Sequence, residues 1–583
     1  MKKKTVLLNP ATETFENYDK KTQQVFKDMV HFFEHKGLNK IRVDNKNRIW
    51  QDDFIKYQRD HNIYSTLLTA EGYGDSDSRF DLHRLTTASE ILAFYSESYQ
   101  YPLQVSILGI GPIWMSDNEE QKKELAAQLK EGHVFAFGMS EKAPGADLYS
   151  MTSNIRPTSE GYVANGNKYY IGNAHIAPKV STLGKNAETG EWAYWVVDSR
   201  HPNYRYDKEI ETPSISMARV GEYSMIEYPL TEKDILTTGD KAFADGLATV
   251  NIGKFQLGFA ASGIATHAFY EAITHSNNRV LYGRKVTDFP HIKQFLSESF
   301  ARTNAMKLYS LRSRDYFRMM SSDDRRYLLF NPIQKMKVTT EGGDVVRKLM
   351  DVVCAKGYEV DTYLSDAYGT ADYLFRLEGT AHVNMGLVIK FMQNYFYNNI
   401  DYPKYGIVDD IKDDKNIFDQ RLGGFSKVQF PNYLDSFDGY DSENIKRFIA
   451  ITELFKEFIT KCPPTEAQAK NMDYMLHIGE IFTSIVYAQL IVEGAELNDV
   501  DDLLVDQIIK YFILDINKYA LTQLNTQDCS EEGRAILGKI AQSGPEVNKE
   551  IDEYFWKEFV QVNDGAYVMN EAVIGSDFKS DLT

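Results

Sequence analysis

The spacing of apolar and polar positions changes character several times along the chain. Over residues 16–130 it has the period of a helix. KTQQVFKDMVHFFEHKG sets Val25, Met29, Phe32 and Phe33 at helical spacing and stops at Gly37. NEEQKKELAAQLKEG is acidic at its start and closed by Gly132, as a helix dipole favours. From His133 the period drops toward two. GYVANGNKYYIG reads as two short strands around an Asn165-Gly166 turn, because both residues tolerate the positive φ of a tight hairpin, and GEWAYWVVDS reads as a further strand. From Leu247 helices return: VNIGKFQLGFAASGIATHAFYEAITHSNN is apolar nearly all round, the pattern of a helix inside a bundle, and more long helices run to about Asn399. DYPKYGIVDDIKDDKNIFDQRLGG is acidic, weakly periodic and linker-like. Residues 440–561 are helical again, with a break at Pro463-Pro464 and a long amphipathic helix in DDLLVDQIIKYFILDINKYALTQL.

This order predicts an α+β, mainly α protein rather than the βαβ alternation of a doubly wound fold. Its expected parts are an N-terminal helical domain (1–130), a central β-domain (131–245), a four-helix bundle (246–400), a linker (401–440) and a C-terminal helical extension (441–583).

Composition narrows the function classes. At 583 residues the chain exceeds one core, and 43% hydrophobic with 25% charged residues is ordinary for globular proteins. A net charge of −18 argues against nucleic acid or an anionic membrane as the main partner. Cys354, Cys462 and Cys529 are too few and too scattered for a disulfide framework or a zinc cluster, which fits a reducing cytosol. The start, MKKKTVLLNPATETF, has only a short apolar run before Asn9-Pro10, too short for a signal peptide. No apolar run reads as the roughly 18 residues of a spanning helix. A cytoplasmic protein without a transmembrane segment is expected.

Several motifs lead nowhere. HFFEH at 31–35 has the form of a zinc-peptidase helix but lies on a plain amphipathic helix with no third ligand to name. Gly109-Ile110-Gly111-Pro112 lacks the third glycine and the strand–helix context of a dinucleotide fingerprint, and reads as a loop. No phosphate-cradling G-x-x-x-x-G-K-[ST] and no G-x-S-x-G is present. Glu378, in FRLEGTAHVN, is a lone carboxylate ahead of a helix start, a place the dipole favours with or without chemistry.

Phe135–Leu148, FAFGMSEKAPGADL, followed by GYVANGNKYYIGNAHIAPKVSTLGK, resembles the acyl-CoA dehydrogenase family. GKFQLGFAASGIATHAF, NNRVLYGRKVTDFPHI and KGYEVDTYLSDAYGTADYLFRLEGT follow in family order, and Gly357 lies 21 positions before Glu378, the family spacing. The resemblance covers about residues 15–400, and the helical tail is similar to the larger, very-long-chain branch.

The resemblance implies FAD-dependent α,β-dehydrogenation of a fatty acyl-CoA, a step of β-oxidation, with electrons passed to an electron-transferring flavoprotein. An oxidase on the same scaffold and a non-catalytic relative with a structural role are the alternatives. It makes Glu378 the base, with Gly253 standing where another branch carries that base. It assigns Phe137, Met139, Ser140, Tyr170, Gly172 and Thr380 to the flavin, Arg279 and Tyr282 to the FAD of a neighbouring subunit in a homodimer, and Ala146 and Gly379 to the substrate. This sequence departs from the family at Gly172, where threonine or serine is frequent, and at Asp351, Cys354 and Ala355, where Gln, Gly and Gly are expected near the FAD pyrophosphate.

Overall fold

The computed structural model describes residues 2–145 and 147–572. Asp19 caps the first long helix, α1 (Lys20–Lys36), by accepting from the Thr22 amide at 3.0 Å, and Gly37 ends it at φ +75°. Further on, α2 (Leu82–Tyr95) and α3 (Glu97–Met115) are buried along their whole length, and α4 (Glu119–Lys130) closes the N-terminal helices. The Gly109–Pro112 stretch, expected as a loop, lies inside α3. Its glycines serve close approach instead of a turn. A Cβ on Gly109 would come within 2.8 Å of the Ala136 backbone, and one on Gly111 within 2.9 Å of Thr249.

The β-domain holds β1 (Ala136–Gly138), β2 (Asn154–Thr158), β3 (Gly161–Gly172), β4 (Val180–Asn186), β5 (Trp192–Val197), β6 (Tyr204–Glu209), β7 (Val220–Leu230) and β8 (Ile235–Thr238). They form one sheet in the order β6-β7-β3-β2-β4-β5-β8, with β1 parallel to β4. The hairpin expected at Asn165-Gly166 is absent: β3 runs straight through, and the turn lies earlier, at Thr158–Gly161. Asn165-Gly166 instead makes a bulge against β7. There the Asn165 side chain exchanges hydrogen bonds with Glu227, at 2.9 Å with its amide and 2.7 Å with its Oε1. A Cβ on Gly166 would run into Ser153, so a glycine is required for that reason rather than for a turn.

The bundle is built on α5 (Asp240–Asn278), a 39-residue helix buried on nearly all sides. It ends in the ribbon of β9 (Val280–Leu281) and β10 (Arg284–Lys285), after which come α6 (Pro290–Arg318), α7 (Tyr327–Val353), α8 (Tyr363–Leu374) and α9 (Ala381–Val388). α5 packs against α2, α3, α6, α7 and α8, so one helix ties the N-terminal helices to the bundle.

Residues 401–440 carry only short 3₁₀ turns, yet buried ions fix them in place. The fully buried Arg318 guanidinium bonds both oxygens of Asp414 (2.9 and 3.1 Å), the Val408 carbonyl (2.5 Å) and the Asp410 carbonyl (2.9 Å). The C-terminal helices include α10 (Glu443–Lys461), α11 (Met472–Leu497) and α12 (Asp502–Thr526). By length and composition α11 could cross a membrane, contrary to the sequence reading, but 78% of its most apolar window is buried, and it packs on α6, α9 and α12. That is the pattern of a core helix.

Candidate active site

Glu378 lies in the turn between α8 and α9. It stands at φ +50° and is followed by Gly379 at φ +88°, two consecutive left-handed residues that reverse the chain. A non-glycine residue pays about 1–2 kcal/mol for that conformation, so the surroundings must enforce it. The enforcement is visible. Lys335 of α7, itself fully buried, donates to the Phe375 carbonyl at 2.7 Å and to the Gly379 carbonyl at 2.5 Å, gripping both ends of the turn. Asn384 of α9 donates to the Gly379 and Thr380 carbonyls at 3.2 and 3.0 Å. Its Oδ1 accepts from the buried Lys254 of α5 at 3.2 Å.

These contacts set the electrostatics. Part of Glu378 stays accessible, but burial of its carboxyl pushes the pKa above the usual carboxylate range. Lys335, the Gln104 amide of α3 and Lys254 each oppose that shift. Burial in turn depresses both lysines, Lys335 to about 7 and Lys254 to about 8, with the Glu378 charge pulling each back up. The ammonium groups bond carbonyl and amide oxygens rather than the carboxylate, which leaves the carboxyl without an ion-pair hydrogen bond and with only the Gln104 amide against it.

A small apolar cluster joins this turn to the sheet: Tyr101 and Val105 of α3, Ala218 and Val220 by β7, Tyr373 of α8, and Leu377. Gly172, at the end of β3, abuts it, since a Cβ there would lie 2.7 Å from Val105 and 2.8 Å from Tyr101. Val105 and the ring of Tyr101 thus occupy the room that a side chain at position 172 would take. Tyr170 stands at φ +67°, partly exposed, and its hydroxyl acts on the protonation of both Tyr101 and Tyr373. Across the strand, Ser140 Oγ donates to the Tyr169 carbonyl at 2.8 Å. The loop before it is pinned by a buried pair: Lys168 Nζ donates to Glu141 and to the Met139 carbonyl, each at 3.1 Å. Phe137 and Met139 are buried in the same layer.

The turn, Gly379, Thr380, Tyr170 and Gly172 therefore share one region, connected through Tyr101 and Tyr373. Arg279 and Tyr282 do not. Arg279 lies 25 residues beyond Lys254 at the far end of α5, roughly 37 Å away at the helical rise. Tyr282, at the ribbon tip, is 95% exposed at φ +52°. Ala146 lies outside the described residues. Cys354 stands at φ +60°, ψ −139°, a conformation suited to glycine, and Asp351 one turn before it is exposed. Tyr170, Glu378, Tyr282 and Cys354 are all non-glycine residues with positive φ, a pattern that collects at functional sites.

Sequence reading missed Lys335, Lys254, Gln104, Asn384, Tyr101 and Tyr373. The usable signal was a lysine inside each of two apolar stretches, VNIGKFQLGF and LLFNPIQKM, where a charge has to face something.

Residues 243–393 match the model of the acyl-CoA dehydrogenase C-terminal domain. Over those residues the chain is similar to the acyl-CoA dehydrogenase family. Among curated relatives of this family it is 23% identical over 230 residues to a 3-(aryl)acrylate reductase of Clostridium sporogenes, a match covering 39% of this chain and 60% of the relative. It is 24% identical over 283 residues to the short-chain specific acyl-CoA dehydrogenase of Megasphaera elsdenii, covering 47% and 74%. An acyl-CoA dehydrogenase from Bacillus anthracis, solved with FAD, superposes with a TM-score of 0.72 at 16% identity over 95% of this chain and 96% of its own. The acyl-CoA dehydrogenase fold with added C-terminal helices thus extends to nearly the whole molecule.

Proposed function

We propose that the protein dehydrogenates an acyl-CoA thioester between its α and β carbons, with Glu378 as the base and FAD as cofactor. The observation that carries the reading is the Glu378 turn: a carboxyl without an ion-pair hydrogen bond, raised by burial, held in a left-handed conformation. A proton α to a thioester is weakly acidic, and a carboxylate removes it best with its pKa moved toward neutrality.

The surroundings fit a flat ring with polar edges. The Tyr373 hydroxyl, the Thr370 hydroxyl and Gln104 Nε2 are buried polar atoms with no strict protein hydrogen bond. Phe137, Met139, Ser140, Tyr170, Gly172 and Thr380 would hold the isoalloxazine end. FAD, when bound, supplies the two-electron acceptor for hydride from the β carbon. Glu378 holds the α proton, and the burial that raises its pKa favours the protonated carboxyl afterwards. Exposed Gly379 and Thr380 leave the turn open on the side from which a thioester would enter. Arg279 and Tyr282, far from this region, would complete the site of a second copy in a homodimer, and an electron-transferring flavoprotein would take the electrons. The M. elsdenii dehydrogenase supports the forward direction. The same residues would return the proton in the reverse reaction, the direction in the name of the C. sporogenes relative.

The test is the visible spectrum of the purified protein under anaerobic titration with acyl-CoAs from butyryl to palmitoyl. Bleaching of a flavin band by one length class is expected. A flavin that no acyl-CoA bleaches, and no enoyl-CoA reoxidises, would overturn the reading.

A further inference from the structure

The chain buries two lysines beside Glu378 and commits each to oxygens around the turn. We infer that Lys335 is a positioning residue for the base: by tying the Phe375 and Gly379 carbonyls to one ammonium, it holds the Glu378 turn in its left-handed form and keeps a cation facing the carboxylate. This rests on the reading of Glu378 as the base.

The geometry is asymmetric in a way that a packing lysine does not require. Lys335 sits on α7, whereas both of its acceptors sit on the turn, separated by Arg376, Leu377 and Glu378. Two bonds from one nitrogen fix the distance between the two ends of that turn, and so the direction in which Glu378 leaves it. Asn384 adds a second hold on Gly379, so that α7 and α9 converge on one carbonyl, and Lys254 of α5 steadies Asn384 through its Oδ1. Burying an ammonium for packing alone is costly, and an apolar side chain of similar length would serve better.

The groups facing Glu378 from each packed element are Lys335 on α7, Lys254 on α5, and Gln104 and Tyr101 on α3, with Tyr373 on α8. Glu97 is buried one turn before Tyr101 and acts on it. Only the two lysines bring positive charge. Removing Lys335, whose charge acts more strongly on Glu378 and which is tethered by two bonds, shifts the balance toward desolvation, so the carboxyl binds its proton more tightly.

The experiment compares the wild-type holoenzyme with Lys335→Met, Lys335→Gln and Lys335→Arg, using Glu378→Gln to mark the Glu378 carboxyl band in infrared difference spectra. Methionine keeps the stem and removes charge and donors; glutamine keeps a donor without the charge; arginine keeps both. In Lys335→Met the Glu378 midpoint is expected to rise by about one pH unit or more. Turnover measured by dye reduction, across the butyryl-to-palmitoyl series, is expected to fall about 100-fold in kcat with little change in KM. The arginine variant should keep the midpoint near wild type, and the glutamine variant should move it. Should methionine not fold at this buried site, the glutamine and arginine pair gives the same contrast. A midpoint unmoved in the neutral variants, or kcat within threefold of wild type, would falsify the assignment. The failure of the base assignment looks different: Glu378→Gln would remove the infrared band yet leave turnover intact.

Discussion

Arg318 and Glu378 are both charged groups buried among helices, and their surroundings differ in what is left over. Arg318 commits its donors to Asp414 and to two carbonyls of the 401–440 segment, and Asp414 also accepts from the Leu82 amide at 2.7 Å. Burial pushes the Asp414 carboxyl up to about 6, with Arg318 opposing it. Glu378 faces two ammonium groups whose bonds go elsewhere. One cluster is spent on holding an irregular segment to the bundle. The other keeps its carboxyl free of ion-pair hydrogen bonds. A buried ion exists at a cost, so one whose hydrogen-bonding capacity is partly unspent points to a partner that arrives later.

Each cluster breaks in its own way. Glu378→Gln should lower turnover by about 10³–10⁴-fold, the worth of a general base, while flavin content and thermal midpoint stay near wild type. Dye-coupled kinetics and the visible spectrum check both halves. A variant keeping a tenth of the activity would place the base elsewhere.

Arg318→Met should behave in reverse, costing about 3–5 kcal/mol because it leaves Asp414 buried without its cation, while Asp81 keeps Arg79 at 2.9 Å. The denaturation midpoint reports it. Adding Asp414→Asn should recover part of the loss, since a neutral amide no longer needs the guanidinium. If the single variant unfolds like wild type, the 401–440 segment is held by its apolar contacts instead.

The pair Lys168 and Glu141 sharpens the comparison from the β-domain. Glu141 accepts from the Thr152 and Ser153 amides at 2.8 and 2.9 Å as well as from Lys168. Lys168 and these donors bring its pKa down to about 2, against the opposing effect of burial. Because the folded value lies below the unfolded one, this carboxylate stabilises the fold above about pH 4.5 and loses that contribution as pH falls toward 2. Glu141→Gln should therefore cost about 1–3 kcal/mol at pH 7 and flatten the acid limb of stability against pH. An acid limb of unchanged slope would assign the limb to other carboxylates.

How much of this was legible in the sequence follows from how local each signal is. Helices with one apolar face declared themselves, and Glu378 drew notice through its spacing from Gly357, which carried a family resemblance. Asn165-Gly166 misled because positive φ serves a bulge as well as a turn, and the difference lies in β7, about 60 residues away. Gly109 and Gly111 misled because glycine also marks close approach, here of α3 to β1 and α5. The apolar length of α11 was overlooked, and its burial depends on α6, α9 and α12. Lys254 and Lys335 could be seen as anomalies in apolar helices, but their acceptors sit on α9 and on a turn that only the fold brings near them.

The smallest predicted effect tests the other end of α5's reach, the turn that closes α7. Cys354 carries a side chain at φ +60°, ψ −139°, and its Sγ donates to the Asp351 carbonyl at 3.0 Å. That region of backbone space belongs to glycine, and an L side chain there costs about 1–3 kcal/mol. Glycine would release that strain but give the unfolded chain more freedom, a loss of about 0.4–1 kcal/mol. Cys354→Gly should thus stabilise the protein by roughly 1 kcal/mol, the difference of those two effects, read as a modest rise in thermal midpoint. If this turn also lies against the FAD of a neighbouring copy, flavin retention on dilution should improve with it, because the strained side chain and the exposed Asp351 stand on the same turn. A higher midpoint with unchanged flavin retention would confine Cys354 to the fold. A lower midpoint would mean that the thiol's bond to Asp351 outweighs the strain, and that the turn has adapted to cysteine.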